Sequence, residues 1–486
     1  MLGRGTRWLG AGLLLWGCNQ LYGIDDLRYV EGASTSSVGG SGEGGGAGSG
    51  GMGGAPPTGA VSWVRGYGEG LVVTIADMAV LTDGRIALVG WFQGGDLVLD
   101  QTLSPIEGEL RPAFFALFDA AGTPLFSSLI GEGALELALA AGPDALYLAV
   151  SYDMPIALGM DLSPSTLADV VVARFVEVSG TFGIDWVRSF ASTGTQRSPR
   201  LVSTDLGVLL ALEYAPAFQI GGLTMVALGG RDIALVDLDL GGTAIDARSL
   251  GGAEQDLLDA LVATPSGFYL GGQHLAALDD EDCSLPSPKG NANFVLSLDA
   301  LATCKTALSF GSPLTNAPIR LAPAPSGYFV AGHSDGMLDL VGATSQGDND
   351  MFLARIDDFT KGGVVWAKRF GDALDQTTAG VAAGATRVVL LGTALGDVDF
   401  GAGALPGGGT GDDSADAVVG VFDLDGDLRE AYRWSSDADV RASAVEVDDP
   451  RSRALVVSEV VGEQNGGLMV GGEPVSGSFF LVELDL

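Results

Sequence analysis

His274 and His333 are the only imidazoles among 486 residues, so metal or general-base chemistry has few side chains to draw on. A zinc site needs three or four N, S or carboxylate ligands converging on one point. The two histidines fall two residues after Gly272 and one after Gly332, in the similar stretches "GFYLGGQH" and "GYFVAGHS". On a strand, a one-residue offset turns a side chain to the opposite face. A shared metal is therefore not expected. No H-E-x-x-H and no phosphate-binding loop occurs. Carboxylates are abundant, 61 Asp and Glu against 25 Lys and Arg, yet a catalytic pair of the glycosidase kind cannot be picked out from spacing alone. The acidic stretches "GDNDM" (347–351), "GTGDDSAD" (409–416) and "DLDGD" (423–427) are where a structural Ca²⁺ would sit. The last lacks the full ligand register and the closing glutamate, and Asp-Gly pairs make turns without any ion. These residues assign no catalytic group, no metal and no cofactor.

The cysteines say more. Arg4 and Arg7 precede the short apolar run Trp8 to Gly17. Ten residues are too few to cross a bilayer as a helix, which takes about 20, but they suit the core of a secretory signal. The run ends Leu15-Trp16-Gly17-Cys18, which resembles the bacterial lipobox: apolar, spacer, small residue, then the thiol that receives a diacylglyceryl group. That resemblance implies a signal peptide over residues 1–17 and lipid attachment at Cys18. Two or more acyl chains anchor stably where one does not. Asn19, rather than an aspartate, leans towards the outer membrane or cell surface of a Gram-negative-type bacterium. Cys283 and Cys304 are the other two thiols, and export makes a disulfide between them chemically allowed. The strand reading below places them at opposite ends of one strand, roughly 20 Å apart at about 3.3 Å per residue. Only a folded-back loop would join them, so the bonded and free states both stay open.

The formal charge is −36, and −38 once Arg4 and Arg7 are removed with residues 1–17. Such a surface repels nucleic acid and anionic headgroups. Residues 32–59 hold 13 glycines among 28 positions, with serine and alanine between. This composition predicts a flexible tether over 18–60, with a root-mean-square reach of roughly 30 Å for the glycine-rich part.

Beyond residue 60 the chain repeats. An aromatic or apolar residue followed by a small one recurs at Tyr67, Ile130, Phe190, Leu250, Phe310, Phe370 and Trp434, about every 60 residues. Short apolar strands ending in an acid recur at Asp119, Glu177, Asp237, Asp299, Asp357, Asp423 and Asp485. A third series carries a central or final glycine at Gly90, Gly272, Gly332 and Gly392. Each unit reads as four strands joined by Gly, Asp and Pro turns. Even "AEQDLLDALVA" (253–263), which has some helical periodicity, aligns with strands in the other units. Four-stranded units repeated seven times predict an all-β fold, one seven-bladed β-propeller over residues 61–486. The strand rich in small residues, such as "AGVAAGA", belongs at the crowded axis, and the tryptophan-bearing strand belongs outside. The body then starts with an outer strand, 61–67, and ends with a third strand, 479–485. Pairing the two would close the ring and remove an exposed sheet edge.

"DNDMFLARIDD" (349–358 and the residue before) and "WAKRFGD" (366–372) resemble the bacterial SBBP repeats, a family of exported seven-bladed propellers. The resemblance implies fold and location and carries no active site. The expected function is an envelope lipoprotein, monomeric, whose propeller binds or scaffolds an unidentified protein or polysaccharide. The alternatives are a structural envelope protein without a ligand, and a hydrolase or lyase acting on polysaccharide through axial carboxylates. The loops after the second strand of each unit (97–111, 152–168, 275–292, 335–350, 395–415) differ most in sequence and should form the contact face.

Overall fold

Runs such as Ile86–Gln93 (IALVGWFQ), Leu146–Tyr152 (LYLAVSY) and Arg387–Ala394 (RVVLLGTA) are apolar on both faces. A strand of this kind is satisfied only with a neighbour along each edge and a packed layer on each side. The computed structural model describes residues 60–105, 111–165, 167–279, 283–311, 317–340, 342–345, 348–358, 363–405, 414–462 and 467–486. The segment read as a signal peptide, Cys18 and all but the last residue of the tether lie outside the described residues.

The apolar runs are the second strands of seven antiparallel four-stranded sheets. Blade one runs Val72–Val80, Ile86–Gln93, Ala113–Phe118, Pro124–Gly131. Blades two to six repeat that order from first strands Ala134–Ala141, Thr195–Thr204, Asp256–Thr264, Arg320–Pro323 and Gln376–Ala383. Every first strand touches the first strand of the next blade, and the seventh, Asp439–Asp448, touches that of blade one. The protein is a seven-bladed propeller with its first strands around the axis. Residues 253–263 fall largely within the strand Asp256–Thr264.

Crowding at the axis explains the composition of these strands. At one register level the seven positions are Ala79, Ala140, Val202, Val262, Ala322, Ala382 and Glu446. Six are small, and the seventh is an acid. Apolar cores fill the seams between blades, where faces of neighbouring sheets interdigitate.

Blade seven is Asp439–Asp448, Arg453–Val461, Phe479–Asp485 and, as its outermost strand, Val61–Tyr67. The register runs from Val61 opposite Leu484 to Tyr67 opposite Phe479. Both ends of the propeller body thus lie in one sheet.

The outer rim has its own repeat. Trp63, Trp186 and Trp366 lie on outer strands and press against the turn between the third and fourth strands of the following blade. A Cβ on Gly122, Gly242 or Gly426 would come within 3 Å of those rings. The three glycines also have φ of +80°, +77° and +85°, a region glycine adopts freely. Asp119, Asp239 and Asp423 open these turns, each accepting amide hydrogen bonds from the residues two and four positions on.

The loop after each second strand forms a small two-stranded hairpin, from Leu97–Val98 with Thr102–Leu103 in blade one to Leu468–Val470 with Glu473–Val475 in blade seven. These hairpins are too short to read from sequence. The one in blade four joins the sheet of the neighbouring blade. Its strand Leu278–Asp279 pairs with Gly251 and Gly252 of blade three, so that sheet gains two strands. This brings Cys283 beside Cys304, and the two are disulfide-bonded with a Cα–Cα distance of 5.7 Å. The 20 Å separation expected from the strand reading fails because the loop doubles back along the blade.

Candidate functional site

The second strands place one residue per blade, just after the signature glycine where there is one, beside the first strand of the following blade. These residues are Trp91, Ser151, Glu213, Gln273, His333, Thr393 and Glu459. Each first strand has lost its regular ladder here, six of the seven through a bulge, and a bulge leaves backbone groups unpaired. Trp91 Nε1 donates to Ala134 O (3.0 Å) and Ser151 Oγ to Gln196 O (3.1 Å). Glu213 accepts from Leu258 N (2.9 Å), and His333 Nδ1 from Thr378 N (3.2 Å). Thr393 Oγ1 accepts from Ala442 N (3.0 Å), and Glu459 from Ile75 N (2.6 Å). Gln273 works through the bulge residue Asp259, which accepts from Ile319 N (3.2 Å). All seven seams are tied at one repeat position. Donor or acceptor varies, and so does residue type, which is why no sequence motif marks the position.

His333 is thereby accounted for. Burial, with Arg320 nearby, pushes its pKa down to about 4, so the ring is neutral and Nδ1 accepts. His274 faces its own blade's outer strand: Nε2 meets Ser309 Oγ and Nδ1 meets Ala276 O, both at 2.8 Å. The two histidines bond in different directions, and no cluster of three metal-ligating side chains occurs among the described residues.

Deeper at the axis lies a charged group from several blades. Asp77, Arg200 and Arg320 share one register level with Ala138, Ala260, Gly380 and Ala444. Asp77 and Asp259 each feel both arginines across the opening. Burial raises both acids to about 6. Glu446 rises to about 8, through burial and then repulsion from Asp77. Glu459 rises to about 7 through burial, against the pull of the Ile75 amide. Asp77, Arg200, Asp259, Arg320 and Glu459 are already engaged. Asp77 accepts from Leu139 N of blade two at 2.8 Å. Arg200 donates to Asp259 O (2.8 Å) and Arg320 to Ala379 O (3.1 Å), each one blade onward. These five charges hold blade to blade.

The acidic stretches resolve similarly. Asp350 and Asp416 begin third strands, are buried, and face Arg369 (3.9 Å) and Arg433 (2.6 Å). Asp423 caps its turn and pairs with Arg429. Residues 346–347 and 406–413 lie outside the described residues. Asp350, Asp416 and Asp423 are thus met by arginines, and Asp423 by backbone amides as well.

What remains for recognition is the hairpin face. Its strands and turns carry exposed apolar side chains, among them Val98, Met160, Leu223, Val226 and Met469. In blade three, residues 215–230 hold no charged residue, although the chain is strongly acidic.

No family model matches the chain, and no curated protein does. Solved structures similar to it include an acylaminoacyl peptidase from Pyrococcus horikoshii, at 10% identity and a TM-score of 0.42 over 83% of this chain and 52% of that one. The ectodomain of the parainfluenza virus 5 hemagglutinin-neuraminidase follows at 9% identity and 0.36, over 72% and 81%. The Trypanosoma rangeli sialidase in complex with sialic acid stands at 9% and 0.35, over 89% and 58%. The chain spans about half the length of the peptidase. The fold assignment rests on the strand order itself, and the activities in those names stay with those proteins.

Proposed function

We propose that this is an exported lipoprotein, held by acyl chains on Cys18 at the outer membrane or cell surface, whose propeller binds or scaffolds a protein or polysaccharide through its hairpin face. The SBBP-like repeats and the lipobox-like Leu15-Trp16-Gly17-Cys18 support export and anchoring. The observation that carries the binding reading is a division of labour. The frame repeats one bridge in all seven seams, while the hairpins above it differ from blade to blade. Function in repeat folds sits where the repeats diverge. The competing enzyme reading needs axial carboxyls to act on a substrate, and Asp77, Asp259 and Glu459 are committed to amides of neighbouring strands.

Intact-mass spectrometry of the membrane-extracted protein beside Cys18→Ala tests the anchor. Loss of residues 1–17 with added acyl mass, absent in the variant, is expected. An unlipidated or uncleaved mass overturns the anchor and the location with it. Binding of cell-envelope fractions to the soluble body is then compared with a variant whose hairpin over 217–226 is cut to a short glycine turn. Undiminished binding by that variant argues against the face.

A further inference from the structure

Among the six blades whose register reaches the start of the first strand, only blade four carries an acid there. Asp256 stands opposite His274. The equivalent residues are Val73, Ala134, Gln196, Gln376 and Val440. Across the seam lies the acid that opens the preceding blade's third strand, Asp350 before Gln376 and Asp232 before Asp256. A Cβ on Gly371 would meet Asp350 Oδ1 at 2.2 Å and Gln376 Oε1 at 2.4 Å. Blade six thus answers the buried acid with a neutral amide, and blade five adds Arg369. The place of Arg369 is taken in blade three by Ser249. The seam between blades three and four therefore holds two acids.

Asp232 and Asp256 are both fully buried. Asp232 accepts from Leu228 N (2.8 Å) and Asp256 from Gly252 N (2.6 Å). The Oδ1 atom of each has no hydrogen-bond partner. The surrounding charges are turned elsewhere. Arg231 reaches Glu213 (2.6 Å) and Gln255. His274, whose pKa burial lowers, bonds Ser309 and Ala276. Tyr214 bonds Ser249, and Glu254 is exposed. Gly251 and Gly252 lie between the acids and the blade-four hairpin. A Cβ on Gly251 would meet the Asp232 carboxyl carbon at 2.2 Å, and one on Gly252 would meet Ala277 O at 2.1 Å. The same two glycines pair with Leu278–Asp279 of the hairpin.

We propose that Asp232 and Asp256 form a pH-sensitive latch, which docks the blade-four hairpin on blade three while Asp256 is protonated and releases it when Asp256 ionises. Protonated, Asp256 is neutral like the glutamines of its sisters. Ionised, it puts a second buried carboxylate beside the first, which is costly without a counter-charge. Moving the two glycines and the strand paired to them lets water in. The Cys283–Cys304 disulfide keeps the far end of the hairpin fixed. Burial, then repulsion from Asp232, raises the pKa of Asp256 to about 7. Its contribution is therefore complete below the ordinary carboxyl value and is lost as pH rises through 7. As regulation of the recognition face the latch rests on that reading, but its own test needs no ligand.

Hydrogen exchange of the whole chain carrying Cys18→Ala, followed from pH 6 to 8.5 as protection factors, reads the latch. Protection over residues 275–279 should fall roughly tenfold or more across this range. The matching hairpin of blade six, Val398–Asp399 with Ala404–Leu405, serves as the control and should not follow. Asp256→Asn should hold the blade-four hairpin protected throughout. If that variant fails to fold, Asp256→Gln, the residue type of blades three and six, takes its place. Protection that ignores pH, an equal fall in the blade-six hairpin, or an equal fall in the neutral variant overturns the proposal. Loss of envelope binding alone would bear on the recognition face and leave the exchange result standing.

Discussion

Two seams of the ring make the same contacts by different chemistry. Between blades five and six the chain is continuous, Trp366 Nε1 donates to Leu424 O at 3.0 Å, and neutral His333 accepts from Thr378 N. Between blades seven and one, a strand from the start of the body completes the sheet. Trp63 presses on Gly122, and Glu459 accepts from Ile75 N. The closing seam also holds Glu446, close enough to Asp77 to raise its pKa. One seam relies on a neutral bridge, and the closing seam gathers two carboxyls whose pKa values burial raises. Equivalent positions in a repeat are thus constrained by geometry, while the ionisation of each seam is set locally.

The largest difference should appear when the closing strand is removed. Val61–Tyr67 makes six register pairs with Phe479–Asp485. At about 1 kcal/mol per ladder hydrogen bond, the loss is roughly 6 kcal/mol before Trp63 is counted. That is comparable to the whole stability of many domains. A chain starting at residue 68 is expected to lose its cooperative thermal transition and to associate through the bared edge. A sharp transition within a few degrees of the parent would mean that the ring closes without its outermost strand. The matching lesion in the other seam, Trp366→Ala, should cost about 3 kcal/mol, at the low end for a large ring deletion because the side chain is partly exposed. Denaturant titration reads it, and an unchanged midpoint would discard the wedge role.

The pH response should separate the seams by sign. The folded pKa values of Glu446 and Glu459, about 8 and about 7, lie above the ordinary carboxyl value. Their contribution is complete below that ordinary value and is lost as pH rises through 7 and 8. His333 behaves in the opposite way. Its folded pKa is depressed to about 4, so its contribution is complete above about 6.5 and is lost as pH falls towards 4. Tm of the parent should therefore fall on both sides. Glu446→Gln should flatten only the alkaline limb, and His333→Gln, whose side-chain oxygen can still accept from Thr378 N, only the acid limb. If either variant changes the opposite limb, or neither, the assignment of charge to seam is wrong.

Much of the frame was legible in sequence because it is periodic. The repeat near 60 residues gave blade number, strand count and the small-residue first strand, since crowding at an axis is a composition signal. The inter-blade bridge was not legible. Its residues, from Trp91 to Glu459, share a place and a task but no chemistry, and a hydrogen bond to a bulged backbone accepts almost any polar side chain. The hairpins escaped for a related reason: two-residue strands leave no alternation to detect. The cysteine pair shows the cost, because a straight-strand estimate of distance cannot anticipate a loop that pairs with the neighbouring blade.

The smallest test concerns the turns beneath the two tryptophans. Asp119 and Asp423 each accept amides two and four residues on, so either aspartate changed to alanine should cost about 1 kcal/mol, as other side-chain caps of backbone amides do. Asp423 has one further partner. Its other carboxylate oxygen pairs with Arg429, and opposing charges hold its pKa below the usual carboxylate range together with the turn amides. The arginine is half exposed, so that pair should add only a few tenths of a kcal/mol. Asp423→Ala should thus exceed Asp119→Ala slightly at low salt, and the gap should close at 1 M salt, where screening removes the pair but leaves the amide bonds. A gap that persists in salt would place the extra stability in the turn under Trp366 and not in the ion pair.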